Sequence, residues 1–323
     1  KRQPPGFTIT TEMCTIYQKE GRERTMEFIR EEVIEGVKHV ENIMGTTFGS
    51  EDKPCLVSVR SGARVSMPGM MDTVLNIGLN DRAVLGLAKK SGKERFAWDS
   101  YRRFIQMYGD VVMGITKYTE ENHDPFEKAI DDMKNGNGVK TDQDLTTEDL
   151  KQLVATYKLL VKTYTGEDFP EDPFEQLWNS IMAVFESWYT DRAVVYRKLN
   201  DIPEDWGTAV NVQAMVYGNM GKDSGSGVAF TRDAATGENI FNGEYLIDAQ
   251  GEDVVAGIRT PLYIEKNASQ KWAEFAGVNE EVRLSEYPSL QEFMPEVFSE
   301  LVEYEQMLED HFRDMQDLEF TIQ

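Results

Sequence analysis

Residues 54–73 read PCLVSVRSGARVSMPGMMDT. The strand-like run PCLVSVR ends on Arg60, and the apolar alternation then stops. Arg64 follows four residues later, and small residues, a proline and three methionines crowd into the stretch that comes next. An arginine at the end of an apolar strand has to meet a ligand or a carboxylate, because an unpaired charge against apolar surroundings is costly. Its planar fork suits phosphate oxygens.

Outward from this stretch the chain changes texture twice. GFTITTEMCTIY predicts a short strand entering a helix capped by Thr10 or Thr11, with Glu12 in the first turn where the helix dipole favours a carboxylate. Met26, Ile29, Val33, Val37, Val40 and Met44 recur at helical spacing until Gly45 stops the helix, leaving His39 off the stripe and on the surface. Residues 79–195 are dominated by helical patterning, in RRFIQMYGDVVMGI, TEDLKQLVATYKLLVKTY and DPFEQLWNSIMAVFESWY, with KNGNGVKTDQD as a polar break. Phe104, Tyr108, Trp178, Phe185 and Trp188 fall at core spacing rather than as a base-stacking surface.

From Asp201 strands and turns take over. In TAVNVQAMVYGNMG, Val210, Val212, Ala214 and Val216 alternate with Asn211, Gln213, Met215 and Tyr217. GVAFTRDAATGENIFNGEYLIDAQ reads as a hairpin turning at Asp233 to Asn239 and opening a second sheet. Val297, Leu301, Tyr304, Leu308 and Phe312 then form a helical stripe before a last strand, DLEFTI.

Three stretches carry polar chemistry. In DLEFTI, Asp317 and Glu319 share one strand face while Leu318, Phe320 and Ile322 point into the core. The backbones of the two acids lie about 6.5–7 Å apart, so their oxygens can converge on Mg²⁺, which takes few carboxylates plus substrate phosphates; a solvated strand face reads equally well. In GNMGKDSGSGVAF, Gly218, Gly221, Gly225 and Gly227 allow close backbone approach and positive φ, and successive amides suit phosphate oxygens. GxxxxGK[ST] is absent there, and a plain hairpin connection remains open. DAQGED gathers Asp248, Gln250, Glu252 and Asp253, either around a cation or phosphate or as a surface turn. The main chain from Gln213 to Met215 is expected to receive a polar adenine edge. Guanidinium, glycine-rich backbone and carboxylates together point to a nucleotide and to phosphoryl transfer by electrostatic positioning.

Composition excludes other classes. Asp and Glu outnumber Lys and Arg 57 to 34, a formal charge of −23 that repels a nucleic-acid backbone. The basic pairs Lys89-Lys90 and Arg102-Arg103 read as solvated or paired surface, so no nucleic-acid partner is expected. No apolar run approaches the about 20 residues that cross a bilayer. Cys14 and Cys55 stand far apart, as in a reducing compartment. Three scattered histidines, His39, His123 and His311, leave little for a zinc site, so a metal here is expected on oxygen. KRQPPGFTIT lacks the apolar core of an export signal, and a cytoplasmic setting is expected, a plastid or other organelle not being distinguished. At 323 residues, beyond the roughly 250 that one core usually serves, two or three lobes are expected.

PPGFTITTE, VSVRSGARVSMPGMMDTVLNIGLND, YRRFIQMYGDVV, NDIPEDWGTAVNVQAMVYGNMG, SGSGVAFTRDAATGE, DAQGEDVVAGIRTP and HFRDMQDLEFTI together resemble, in order and over nearly the whole length, the nucleotide-binding domain of the pyruvate, phosphate dikinase family. The related pyruvate, water dikinases and rifamycin phosphotransferases carry an acidic sequence where this chain has SMPGMMDT. The resemblance implies an α+β, ATP-grasp nucleotide-binding domain with a helical inserted subdomain. Residues 1–78 plus 196–218 would form the first lobe, 79–195 the helical insertion, and 219–323 the second lobe, truncated at its C-terminal strand. It implies that Arg60 contacts the ATP phosphates and is catalytic, and that the SMPGMMD loop, with Gly69 and Met71, closes over the nucleotide. Gln213 and Met215 would sit at the adenine, Ser226 and Gly227 in a second covering loop. Glu244, Glu252, Asp317 and Glu319 would organise phosphate and metal, with Mg²⁺ on Asp317 and Glu319. Arg64 is left between a phosphate and a local carboxylate.

The family's GGKGAN-type segment before PPGF and its LQTR-type strand after EFTI are not in this sequence, nor are a phosphohistidine domain or a barrel for pyruvate and phosphoenolpyruvate. A piece of a longer chain is therefore expected, inactive and weakly nucleotide-binding by itself, and a homodimer when full length. None of His39, His123 or His311 matches the phosphoryl carrier. The alternatives are a module of a dikinase that phosphorylates water or an antibiotic, and a nucleotide sensor without turnover.

Overall fold

Period-two alternation builds two separate antiparallel sheets, and helical periodicity supplies what covers them, so the chain is α+β. The computed structural model describes residues 3–115, 124–255, 257 and 259–323, in two units, Lys1–Met215 and Val216–Gln323.

In the first unit β1 (Gly6–Ile9) leads into α1 (Thr11–Met44), and a short parallel pair, β2 (Thr47–Phe48) with β3 (Pro54–Cys55), precedes β4 (Val57–Gly62) and β5 (Thr73–Ile77). Helices α2 (Ala83–Ser91), α3 (Glu94–Val111), α4 (Pro125–Asn137), α5 (Thr147–Thr165), α6 (Pro173–Ser187) and α7 (Asp191–Leu199) follow, and then β6 (Ala209–Ala214). The strand order is β1-β6-β4-β5, every neighbour antiparallel. Ile9, Val57, Val59, Val74, Ile77, Val210, Val212 and Ala214 are buried, with α1, α3 and α6 packed against these strands. Asn211 and Gln213 alternate onto the more open face, as the spacing in β6 predicts.

Thr10 is the N-cap of α1 and Gly45 ends it. The helix breaks once, at Gly21, whose φ of +80° suits a residue without Cβ. Ile29, Val33, Val37 and Val40 are buried and His39 is exposed, as expected. Phe104, Tyr108, Phe185 and Trp188 are core and Trp178 is half-buried; Phe169 packs edge-on against both Phe104 and Tyr108. Arg102 departs from the expectation of a surface pair. It is buried, donating 2.8 and 3.0 Å hydrogen bonds to Asp99. Burial would raise the Asp99 carboxyl, but the charges of Arg102 and Arg103 override it and hold the group well below the carboxylate range.

Part of the predicted polar break is helix: Asp124 accepts from the Phe126 and Glu127 amides and starts α4 at Pro125, which carries the helix through Lys134-Asn135-Gly136-Asn137. The strand β6 stops at Ala214 and the alternation reverses beyond it, Met215 and Tyr217 being buried and Val216 exposed.

In the second unit β7 (Gly225–Phe230) and β8 (Asn242–Ile247) form the predicted hairpin, with the Asp233 carboxylate accepting from the Ala235 and Thr236 amides in the turn. Then come α8 (Gly251–Val255), β9 (Leu262–Tyr263), α9 (Lys266–Ala276), α10 (Glu280–Glu286), α11 (Leu290–Phe293), α12 (Pro295–Phe312) and β10 (Asp317–Ile322). The order is β10-β7-β8-β9, again antiparallel throughout. Leu318, Phe320 and Ile322 pack on the core of Ala229, Phe241, Tyr245, Ile264, Leu290 and Leu301.

The predicted stripe on α12 holds for Val297 and Leu301, which reach that core, whereas Phe312 is exposed. An 18-residue helix spans about 27 Å and a six-residue strand about 20 Å, so the last turns outrun the sheet. Helices α9 to α11, which the periodicity does not announce, are clasped by one fully buried side chain. Arg283 donates to Glu280 at 2.7 and 2.8 Å, to Glu292 through two bonds of 2.8 Å, and to Ser269 at 2.9 Å. Among the described residues no helix is long and apolar enough to cross a membrane.

Hydrogen bonds from Arg283 hold the Glu292 carboxyl down to about 2 from an ordinary 4.5. Because the folded value is the depressed one, this stabilisation is complete above pH 4.5 and is lost as pH falls toward 2. Arg283→Met is expected to cost about 3–5 kcal/mol at neutral pH, since it leaves Glu292 and Ser269 without their partner. The gap between wild type and variant in urea unfolding should narrow between pH 4.5 and 2; a gap that is constant with pH would show that the clasp does not hold the unit.

Candidate functional site

The register of the first sheet lines up four polar residues in a row. Thr8 on β1 lies opposite Asn211 on β6, Asn211 opposite Arg60 on β4, and Arg60 opposite Thr73 on β5. Side chains in such a row emerge on one face, and it is the face opposite the buried valines. Arg60 is exposed and, among the described residues, its side chain makes no hydrogen bond or ion pair. Arg64 differs: its guanidinium lies 5.4 Å over the ring of Trp206. The carboxyl of Glu12 is lowered, first by a hydrogen bond from Thr10 and in smaller part by the charge of Arg64.

Beyond β4 the Ser66 to Asp72 segment is a turn on an anchored stem. The Met70 amide donates to the Met67 carbonyl at 3.1 Å, and Gly69 takes a φ of +70°, which the third residue of a Pro-Gly turn requires. Gly69 is exposed and Met71 half-buried. On the stem side Met67 is buried, the Asp72 amide donates to Ser187 Oγ at 3.3 Å, and Asp72 pairs with Arg192 of α7. The tip is open and its base is tied to the helices.

Gln213 and Met215 stand differently from expectation. The Ala214 amide donates to the Pro5 carbonyl at 2.8 Å and the Met215 amide to the Leu56 carbonyl at 2.9 Å. Both N–H groups are thus taken, since β6 is flanked on both sides and a central strand has no free ladder. The Gln213 side chain donates to the Pro4 carbonyl at 3.1 Å and Met215 is buried.

In the second unit Asp317 and Glu319 are exposed on one face of β10 while Leu318, Phe320 and Ile322 face the core, as the alternation predicts. The register adds a third acid: Glu319 is opposite Val228, which is opposite Glu244. Glu244 is exposed on the same face, two strands and so about 10 Å away at the backbone. Among the described residues no group of three or more His, Cys, Asp or Glu side chains is close enough to cage a metal. An open, oxygen-only pair fits Mg²⁺, which keeps waters and substrate oxygens in its shell. Glu252 is half-buried on α8, outside this row.

The glycine-rich stretch is not the open cradle its composition suggests. Three of its amides are already engaged: Met220 donates to Ser224 Oγ at 2.8 Å, Gly221 to Asp248 at 2.9 Å, and Ser224 to the Gly221 carbonyl at 3.0 Å. Only Gly221 among the four glycines has a positive φ, 121°. Ser226 and Gly227 lie within β7 rather than in a covering loop, and Ser226 is buried, 3.5 Å from Thr321 Oγ1. The need for glycine at 227 is steric. A Cβ there would come 2.4 Å from Phe320 Cζ and 2.6 Å from the Glu244 carbonyl.

Thr8, Asn211 and Thr73 escaped the sequence reading because only strand pairing brings them to Arg60; the one signal was the polar phase of β6. His39 and His311 are exposed, and His123 lies outside the described residues.

The family model for the pyruvate phosphate dikinase AMP/ATP-binding domain matches residues 24–323. The chain is 52% identical over 321 residues to pyruvate, phosphate dikinase of Clostridium symbiosum, covering 99% of this chain and 33% of that protein. It is 51% identical over 320 residues to the Rhizobium meliloti protein of the same name, covering 34% of it, and 50% identical to the one named chloroplastic in Mesembryanthemum crystallinum, covering 30% of it. The chain thus spans about a third of the length of these relatives.

Gly227→Ala is expected to cost roughly 1–3 kcal/mol of stability, read by urea unfolding. Phe320→Leu in the same chain should recover only part of that loss, because the clash with the Glu244 carbonyl remains. Full recovery would place the whole constraint on the ring.

Proposed function

The chain belongs to the pyruvate phosphate dikinase AMP/ATP-binding family, and from that premise we propose that it binds MgATP and hosts the first half of a dikinase reaction. In this reading a histidine nitrogen of a neighbouring domain attacks the β-phosphorus of ATP, the bond to the α,β-bridging oxygen breaks, and AMP leaves. Phosphate then takes the γ-phosphoryl group away as pyrophosphate, and the phosphoryl group left on nitrogen passes to pyruvate. The sum is ATP + phosphate + pyruvate giving AMP + pyrophosphate + phosphoenolpyruvate. We further assign residues 1–78 with 196–218 and residues 219–323 to the two lobes of an ATP-grasp fold, and 79–195 to its helical insertion.

The observation that carries the reading is Arg60: exposed, without a partner among the described residues, on the polar face of a sheet. A guanidinium left open in a chain this acidic is a site for an anion. Bound to the polyphosphate it neutralises charge that grows as the bridging bond breaks. The Gly69 tip, on its tied stem, would fold over a nucleotide and exclude water, and Met71 would pack against it. Asp317 and Glu319 would hold Mg²⁺, which when bound neutralises phosphate oxygens. Ser226, Gly227, Glu252, Gln213 and Met215 are kept as ATP-site residues on the resemblance; the first two act through strand position rather than as a flexible cover.

Exchange of labelled AMP into ATP by the full-length protein, dependent on both phosphate and pyrophosphate, tests the reaction. Exchange that needs no phosphate would indicate a dikinase with a different acceptor, and nucleotide binding without exchange would indicate a sensor. Arg60→Ala is expected to remove about 2–4 kcal/mol of transition-state stabilisation with no change in thermal unfolding. Asp317→Asn and Glu319→Gln are expected to lower exchange steeply and to shift its Mg²⁺ requirement upward. A wild-type magnesium dependence in both would move the metal elsewhere.

A further inference from the structure

Resting on the reading that Arg60 meets phosphate, we propose that Asn211 is a second ligand for the same polyphosphate, its carboxamide aimed by Thr8 and given room by Gly62. The row Thr8–Asn211–Arg60 is set by strand register, so the Asn211 and Arg60 side chains emerge side by side on the same face. A carboxamide has one acceptor end and one donor end, and which end reaches a ligand depends on what holds the other. Thr8 Oγ1 donates to Asn211 Oδ1 at 2.7 Å. That bond occupies the acceptor end on the β1 side and turns Nδ2 toward β4, the strand that carries Arg60. Among the described residues Nδ2 has there only a long contact, 3.4 Å, to the Ser61 carbonyl, which leaves a proton to donate.

Gly62 supplies an independent constraint. A Cβ at that position would sit 2.7 Å from Asn211 Nδ2 and 3.4 Å from the Ala209 Cβ. The glycine two residues after Arg60 therefore keeps open the space that the amide nitrogen fills. Its own amide is held by Thr208 Oγ1 at 3.2 Å, which fixes that end of β4. Guanidinium and amide nitrogen together make a donor-only surface, which fits an oxyanion and disfavours a cation or a neutral acceptor-poor group. Asn211 is thus a binding residue, while Thr8 and Gly62 are positioning residues that act through it.

The test uses the full-length protein titrated with inorganic tripolyphosphate and with MgATP, alongside thermal unfolding of each variant. Asn211→Ala is expected to weaken tripolyphosphate binding by roughly ten- to hundredfold without lowering the melting temperature, because the side chain is on the open face. Thr8→Val, which keeps shape and removes the hydroxyl, should weaken binding in the same direction, and Thr8→Ser should restore it; a structural role for Thr8 would not be rescued selectively in binding. In asparagine-labelled protein the Nδ2 proton signal of Asn211, assigned by its loss in Asn211→Ala, should shift with tripolyphosphate. Wild-type binding that falls in Arg60→Ala but is unchanged in Asn211→Ala and Thr8→Val would overturn this proposal and leave the nucleotide reading standing. Binding unaffected by Arg60→Ala as well would overturn both.

Discussion

The pairing of β4 with β6 is the constraint on which the first unit depends. It joins strands about 150 residues apart, as in the contact of Asn211 with Ser61, and closing so long a loop is an entropic cost that must be offset before any site residue is in place. The offset comes from the face opposite Arg60, where Val57, Val59, Val210 and Val212 are buried together. Because side chains alternate where β4 pairs with β6, the register that buries those valines also sets Arg60 beside Asn211. A slip by one residue would put the arginine into the core and the valines into water. Position of the candidate site and stability of the sheet are the same fact.

The second unit obeys the same rule with different chemistry. Burying Leu318, Phe320 and Ile322 against α11 and α12 forces Asp317 and Glu319 outward, and the β7 register brings Glu244 to the same face. The glycines of β7 serve closeness rather than mobility: the Phe320 ring lies where a Cβ of residue 227 would be. Arg102 and Arg283, both buried, are each met by carboxylates, whereas Arg60, exposed, is left open.

The helices of the first unit do the holding. Ser187 and Arg192, at the end of α6 and the start of α7, tie the base of the Met67 to Asp72 turn, while the glycine at its tip is exposed. A segment rich in methionine and glycine would otherwise sample many conformations, each an entropic penalty on binding. Anchoring the stem reduces that penalty.

Much of this was legible in the sequence because it depends on local periodicity. The hairpin at Asp233, the helix ending at Gly45, the aromatic core and the outward face of Asp317 and Glu319 follow from spacings of two and of three to four, which neighbouring residues decide among themselves. Arg60 was legible too, as a charge ending an apolar strand. Tertiary structure alone decided that Arg64 lies on Trp206, that Arg102 and Arg283 are buried among carboxylates, and that the glycine stretch is an internally bonded turn leading into a strand. It also decided that the Ala214 and Met215 amides are taken, and that Thr8, Asn211 and Gly62 gather around Arg60. Some of these are relations between residues far apart in the chain, as between Asn211 and Thr8; others, such as Arg102 with Asp99 and Arg283 with Glu280, pair residues three apart whose burial the packing of other elements decides. Spacing carries no information about which distant strand supplies the partner; the register that buries the most apolar surface does.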